Sequence, residues 1–311
     1  MLALAFINTA DPHLGRLDYN SLPQQTLMEM FIAGITNCDV ICGSREEPYD
    51  VVQWEGVEVD DATEDVINIL WDSQILRGSV DMQWLPATVD TVALGGNSLT
   101  GTVDLTCLPP ALNELSLDEN EFSGSLEFRK LPASLNKLDV YQNTFTGSIC
   151  LTELPIGLTF LSLSQNQLSG SLELRHFPSA MKILSASTNR FTGSVDLTHL
   201  PDAFSELVIS NNNLSGCVDL TKLPATLKSL SLSENMFSGA VDLTRLPQKI
   251  TLLYLNSNNF SGETNFSEIP KSMKFMNVAK TNLSGKIYRS QAKSVIFDVA
   301  NSNVRIQKVR R

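Results

Sequence analysis

A repeat solenoid is the fold class that this sequence of 311 residues predicts, and three observations carry the prediction. Leu-Pro or a close variant recurs at Leu85-Pro86, Leu108-Pro109, Leu131-Pro132, Leu154-Pro155, Phe177-Pro178, Leu200-Pro201, Leu223-Pro224, Leu246-Pro247 and Ile269-Pro270, always 23 residues apart. Within each interval an LxLxx segment alternates with period two, the pattern of a short strand whose leucines face inward. An asparagine then closes the segment at Asn97, Asn120, Asn143, Asn166, Asn189, Asn212, Asn235 and Asn258. A fixed period of roughly 20–50 residues marks architectures whose single unit cannot bury its own apolar face and is stable only when stacked. At a strand spacing of about 4.8 Å, about ten coils make a curved rod roughly 50 Å long.

Each position of the unit, LPxxLxxLxLxxNxFSGxVDLTx, has a physical task. The asparagine amide both donates and accepts, so a stacked row satisfies the backbone groups that a tight turn leaves bare. Two residues on stands an aromatic ring or leucine: Leu99, Phe122, Phe145, Leu168, Phe191, Leu214, Phe237, Phe260 and Leu283. Stacked, these fill the coil interior. The glycine that follows, from Gly101 to Gly285, marks a bend that a Cβ would obstruct. VDL alternates again and is predicted to be the second short strand. Proline then removes a backbone donor and turns the chain into the next coil. One degenerate unit precedes the series, with Val66, Ile69, Trp71, Leu76, Gly78 and Val80 in frame. Another follows it, with Phe297, Val299 and Val304 two residues out of step.

The segments LNELSLDENEF, LTFLSLSQNQL and LKSLSLSENMF resemble the LxxLxLxxNxL hallmark of the leucine-rich repeat. The Ser-Gly that follows is similar to the plant-type subclass, although VDLTxLP replaces that subclass's IPxxL. The variant resembles leucine-rich repeat proteins and surface antigens of protists, kinetoplastids in particular. The resemblance covers residues 62–304 and implies a right-handed β-solenoid or horseshoe with a parallel concave sheet and short convex strands, a non-catalytic fold used by receptors, scaffolds, inhibitors and antigens.

Residues 1–61 lack the repeat and read as an N-terminal cap with one helix. Ser21-Leu22-Pro23-Gln24 resembles a capping box ahead of TLMEMFIAGI, which predicts a helix from Pro23 to Ile35. Leu27, Phe31 and Ile35 share a face suited to closing the first coil's open core. Trp54-Glu55-Gly56-Val57-Glu58-Val59 resembles the W-x-G-V-x-C segment of plant-type caps, with Val59 where that pattern has a cysteine. Residues 305–311, with Arg305, Lys308, Arg310 and Arg311, read as a basic tail.

Composition excludes several classes of function. Lys+Arg 23 against Asp+Glu 34 gives a net charge of −11, which disfavours nucleic acid. No apolar run reaches the ~18 residues of a membrane span. Five cysteines, Cys38, Cys42, Cys107, Cys150 and Cys217, do not make a disulfide framework, and Cys38 and Cys42 are either a local bridge or two thiols. His13, His176 and His199 form no HExxH pair, and no CxxC zinc pair, phosphate loop or GxSxG turn occurs. No cofactor, metal or catalytic residue is assigned. Asp81, Asp104, Glu127, Glu173, Asp196, Asp219 and Asp242 recur at the D of VDL. Lys130, His176, His199, Lys222 and Arg245 follow three residues later, so a mutually neutralised ladder is expected.

A partner is expected on the outward positions of the LxLxx strands. Serines floor the middle: Ser162, Ser164, Ser185, Ser187, Ser210, Ser231 and Ser233. Glu114, Asp118, Glu119, Lys137, Asp139 and Tyr141 cluster toward the N-terminal side, and Leu252, Tyr254 and Phe275 toward the C-terminal side. Rings bring large contact area at low entropic cost, so both ends are the candidate partner-binding sites. The leading expectation is a monomeric protein-interaction scaffold for a protein partner. The alternative is a cell-surface or secreted coat glycoprotein, or a receptor ectodomain fragment, using the sequons at Asn213, Asn259, Asn265 and Asn282. The chain as it stands reads as cytoplasmic, and as surface-exposed or secreted if its N-terminus is truncated.

Overall fold

The computed structural model describes residues 22–288 and 295–307. His13, Ser21 of the capping box, and Lys308, Arg310 and Arg311 of the tail lie outside these residues. Two sheets back onto one core along the described chain. The inner sheet has twelve strands, eleven of them parallel, running from Val66–Leu70 to Ile296–Asp298. The second, eleven-stranded sheet runs from Arg77–Gly78 to Asn303–Gln307, and its strands are joined in parallel register throughout. The last strand therefore carries Arg305, where the sequence places the start of the tail.

The inner leucines and the ring positions are fully buried between these sheets, among them Leu115, Leu138, Leu161, Phe122, Phe145, Phe191, Phe237 and Phe260. Rings of adjacent coils stack where both carry phenylalanine. The centroids of Phe122 and Phe145 are 6.5 Å apart, and those of Phe237 and Phe260 are 6.1 Å apart. Beside this spine runs the asparagine ladder. Asn166 Nδ2 donates to Val140 O of the preceding coil at 2.9 Å, and to Leu163 O and Ser164 O of its own turn. Its Oδ1 accepts from Phe145 N–H at 3.0 Å. The same four contacts recur at every asparagine from Asn97 to Asn258. The residue just before each asparagine is left-handed, as at Glu119, Gln142, Gln165 and Thr188. That twist turns the asparagine inward.

The second sheet does not form where the alternation of VDL placed it. Its strands lie one step upstream, over the ring and glycine, as in Ser98–Thr102 and Glu121–Ser125. The strand glycines from Gly78 to Gly262 bend there at φ near +82° to +102°, and a Cβ on Gly124 would meet Thr102 Cγ2 at 2.9 Å. VDLT instead turns the chain. Asp219 Oδ1 accepts from Thr221 N–H at 2.8 Å and from its hydroxyl at 2.6 Å, and Asp242 treats Thr244 alike. These donors hold the carboxyls of Asp104, Asp196, Asp219 and Asp242 below the usual range, threonine hydroxyl first. The expected ladder of neutralised charge is thus mainly a row of turn caps. Arg175 and His199 both pair with Asp196, at 2.8 and 3.1 Å.

The cap helix α1 spans Gln24–Phe31, shorter than the predicted Pro23 to Ile35. It stops because residues 34–36 spend their backbone groups on the first coil. Thr36 N–H donates to Arg77 O, Gly34 O accepts from Ser79 N–H, and Ile35 bridges Gly78. Gly34 is required by that approach, since its Cβ would lie 2.5 Å from Ser79 O. Gln24 does not complete a capping box. Its Oε1 accepts from Val66 N–H, and Phe31 stacks on Trp71 at 5.9 Å. The strand β1, Val57–Val59, pairs antiparallel with Val66–Leu70 and covers the sheet edge. Cys38 and Cys42 are both buried thiols, and burial pushes Cys42 up to about 11.

The ladder ends where Thr281 and Ser302 replace asparagine, because their hydroxyls reach only backbone groups of their own coil. Asn166→Ala is expected to cost about 1–3 kcal/mol by denaturant unfolding, whereas Gln165→Ala, exposed one residue earlier, stays near neutral. Conversely, Thr281→Asn adds a bridging rung and should raise stability by about 0.5–2 kcal/mol in the same assay. Equal midpoints for Asn166→Ala and Gln165→Ala would contradict the ladder's role.

Candidate functional site

Because each inner strand from Thr91–Ala93 onward is only three residues long, it presents the same few outward positions to the trough, stacked in register from coil to coil. Glu114, Asp118 and Glu119 sit on one coil, and Lys137, Asp139 and Tyr141 on the next, with Glu114 opposite Lys137 and Ser116 opposite Asp139. Lys137 Nζ lies 3.8 Å from Glu114 Oε2 and 5.9 Å from the centroid of the Phe160 ring. Asp118 accepts from the Ser116 hydroxyl, and Asp139 accepts from Tyr141 N–H at 3.0 Å. Burial pushes the Asp139 carboxyl up, and the like charge of Asp118 adds to it. The Tyr141 N–H and the Ser162 hydroxyl oppose this shift. Glu119 is left-handed and exposed at the rim.

At the other end Leu252 lies opposite Phe275, and the Tyr254 and Phe275 rings meet at 5.2 Å, tilted by 39°. All three are half-buried. Asn256, the next outward residue after Tyr254, carries a buried Oδ1 with no hydrogen-bond partner among the described residues. Beyond Phe275 the row continues to Ile296, which is 66% exposed. The sequence pattern hides Ile296 because the last unit is two residues out of step.

Between the two ends the serines bond one another. Ser187 Oγ donates to Ser164 Oγ at 2.9 Å, and Ser164 and Ser185 meet at 2.7 Å. This floor has an apolar border that sequence reasoning missed, formed by Phe160 and Ile183 in register. The alternation that turns Lys137 outward turns these two outward as well, which is the signal that identifies them.

The flank sheet presents a different surface. Its outward column reads Thr100, Ser123, Thr146, Ser169, Thr192, Ser215, Ser238, Ser261 and Ser284, one hydroxyl per coil. The hydroxyls of Thr100, Ser123, Thr146, Ser169, Thr192 and Ser284 donate to the glycine carbonyl of the preceding coil at 3.1–3.4 Å. Their lone pairs are left for solvent. Three sequons begin strands of the same sheet, at the exposed Asn213, Asn259 and Asn282.

Among the described residues, no group of three or more His, Cys, Asp or Glu is placed to hold a metal ion. No described helix is long and apolar enough to cross a membrane. The site therefore offers surface chemistry, made of a charged end, a ringed end and a rank of fixed hydroxyls.

No family model and no curated protein matches the sequence. Solved structures do. The PEPR1–AtPEP1 structure is 21% identical over 91% of this chain and 42% of that one, with a TM-score of 0.70. The Arabidopsis receptor kinase HAESA, in complex with the peptide hormone IDA and the co-receptor SERK1, is 22% identical over 90% and 50%, with a TM-score of 0.68. A plant ice-binding protein is 20% identical over 91% of this chain and 94% of that one, with a TM-score of 0.67. The chain thus spans half or less of those two receptor chains, and nearly the whole of the ice-binding one. At such identities the likeness is one of architecture: this chain has the fold of the leucine-rich-repeat ectodomains, a parallel β-solenoid of about eleven turns.

Proposed function

We propose that this chain is a non-catalytic binding module that seats a protein or peptide partner in the concave trough. One observation carries the reading. The Tyr254–Phe275 pair stands half-exposed on the sheet, beside Leu252 and an orphaned acceptor at Asn256. Paired rings on a rigid sheet supply anchoring area with little entropy left to lose. The peptide-bound state of HAESA supports the reading by fold alone. A surface or secreted form, as ectodomain or coat, fits the three exposed sequons on the flank sheet, which leave the trough clear of glycans.

A second reading concerns the flank sheet itself, and the hydroxyl column favours it. A row of hydroxyls repeating at about 4.8 Å, six of them fixed as donors to glycine carbonyls, is suited to hold an ordered water layer. The plant ice-binding protein, matched over nearly its full length, supports this reading.

Each reading has its own measurement. Tyr254→Ala with Phe275→Ala, and separately Tyr141→Ala with Asp118→Lys, are expected to weaken capture of co-purifying partners at least tenfold. Full capture by both double variants overturns the trough reading. For the flank sheet, freezing-point hysteresis is expected from the purified chain and should be lost in Thr146→Tyr with Thr192→Tyr. A chain with no hysteresis overturns that second reading.

A further inference from the structure

The trough is electrically lopsided. The described coils at its N-terminal end carry Asp72, Glu114, Asp118, Glu119 and Asp139 against Lys137 alone. Lys137 is already held between Glu114 and the Phe160 ring. Asp118 and Asp139 are like charges on adjacent coils, and Asp139 is half-buried, so that desolvation first and Asp118 after it disfavour its charged form, against the Tyr141 N–H, the Ser162 hydroxyl and the Lys137 charge. A further cation seated against the two carboxylates offsets their repulsion. At the far end, the ring pair and Leu252 offer an apolar seat, and the Asn256 acceptor there lacks a donor. The strand of Asp139 and that of Tyr254 are five rungs apart in unbroken register. At about 4.8 Å per rung this is about 24 Å, the reach of roughly seven residues of extended chain.

We infer that the trough selects an extended peptide with a Lys or Arg side chain on Asp118 and Asp139 and, about seven residues along, an aromatic or large aliphatic side chain on Leu252, Tyr254 and Phe275. The inference rests on the trough reading above and adds the chemistry and spacing of the ligand. The charge imbalance identifies the cationic end, and the paired rings identify the apolar one. Between them the mutually bonded serines line one outward column, and Phe160, Ile183 and Glu206 line the column beside it.

The test is selection from a random 12-residue peptide library on the full chain, followed by affinity measurement on synthetic copies of the enriched peptides. Enrichment of a cation separated by six to eight residues from Phe, Tyr, Trp, Leu or Ile is expected. Asp118→Asn with Asp139→Asn, which keeps the oxygen acceptors, should weaken such a peptide at least tenfold. It should have little further effect once the peptide's cation is changed to Ala, which is the signature of direct coupling. Enriched peptides that lack the cation yet lose binding in Tyr254→Ala with Phe275→Ala overturn this inference and leave the trough reading standing. Peptides indifferent to both pairs of substitutions overturn both. Absence of any enriched peptide overturns the inference.

Discussion

Every coil from Asn97 to Asn258 is fastened to the preceding one through an asparagine amide, buried from Asn120 onward, and the rest of the molecule follows from that fastening. The amide has both kinds of hydrogen-bonding group on one planar head. It can therefore accept from the ring residue of the coil before, as Asn166 does from Phe145, while donating to that coil's carbonyl and to two of its own. A hydroxyl cannot span that set. Where Thr281 stands in the slot, the contacts shrink to its own turn. Because buried backbone groups cost free energy when unpaired, the ladder holds the coils at one rise and one register.

Fixed register gives the surfaces their character. A residue type repeated at one place in the unit becomes a column, and a residue that breaks the repeat becomes a landmark. On the flank sheet the Ser/Thr before each glycine is preserved, and the product is a nearly uniform rank of hydroxyls tied to glycine carbonyls. In the trough the outward positions vary from coil to coil, so charge gathers at one end and rings at the other. Uniformity suits a surface that meets a lattice or solvent, and variation suits one that must distinguish a partner.

The two ends of the inner sheet are finished differently. At the N-terminal end, β1 covers the edge, α1 lies over the core, and Gly34 lets the cap backbone bond directly to Arg77 and Ser79. At the other end the amide ladder has already stopped and Ile296 stands exposed. The cap thus fixes the first coil, and order is handed along the stack by nearest-neighbour contacts.

The period of 23 residues, the inward leucines, the ring spine and the asparagine row are all legible in the linear chain, because each is a local requirement written once per coil. So are the clusters at Tyr141 and at Tyr254–Phe275, since alternation alone decides which side chains face out. Other features needed the tertiary structure. VDLT alternates like a strand, yet its aspartates find a closer partner in the threonine two residues on, and the backbone turns there instead. The helix pattern runs on to Ile35, but the docking of residues 34–36 on the first coil ends it sooner. Nothing in the linear order says that Lys137 would lie against Glu114 and Phe160, or that Asp118 and Asp139 would accept from the Ser116 hydroxyl and the Tyr141 N–H. Periodicity fixes which residues share a column. Which of them satisfy each other is settled only when neighbouring coils are brought within hydrogen-bonding distance.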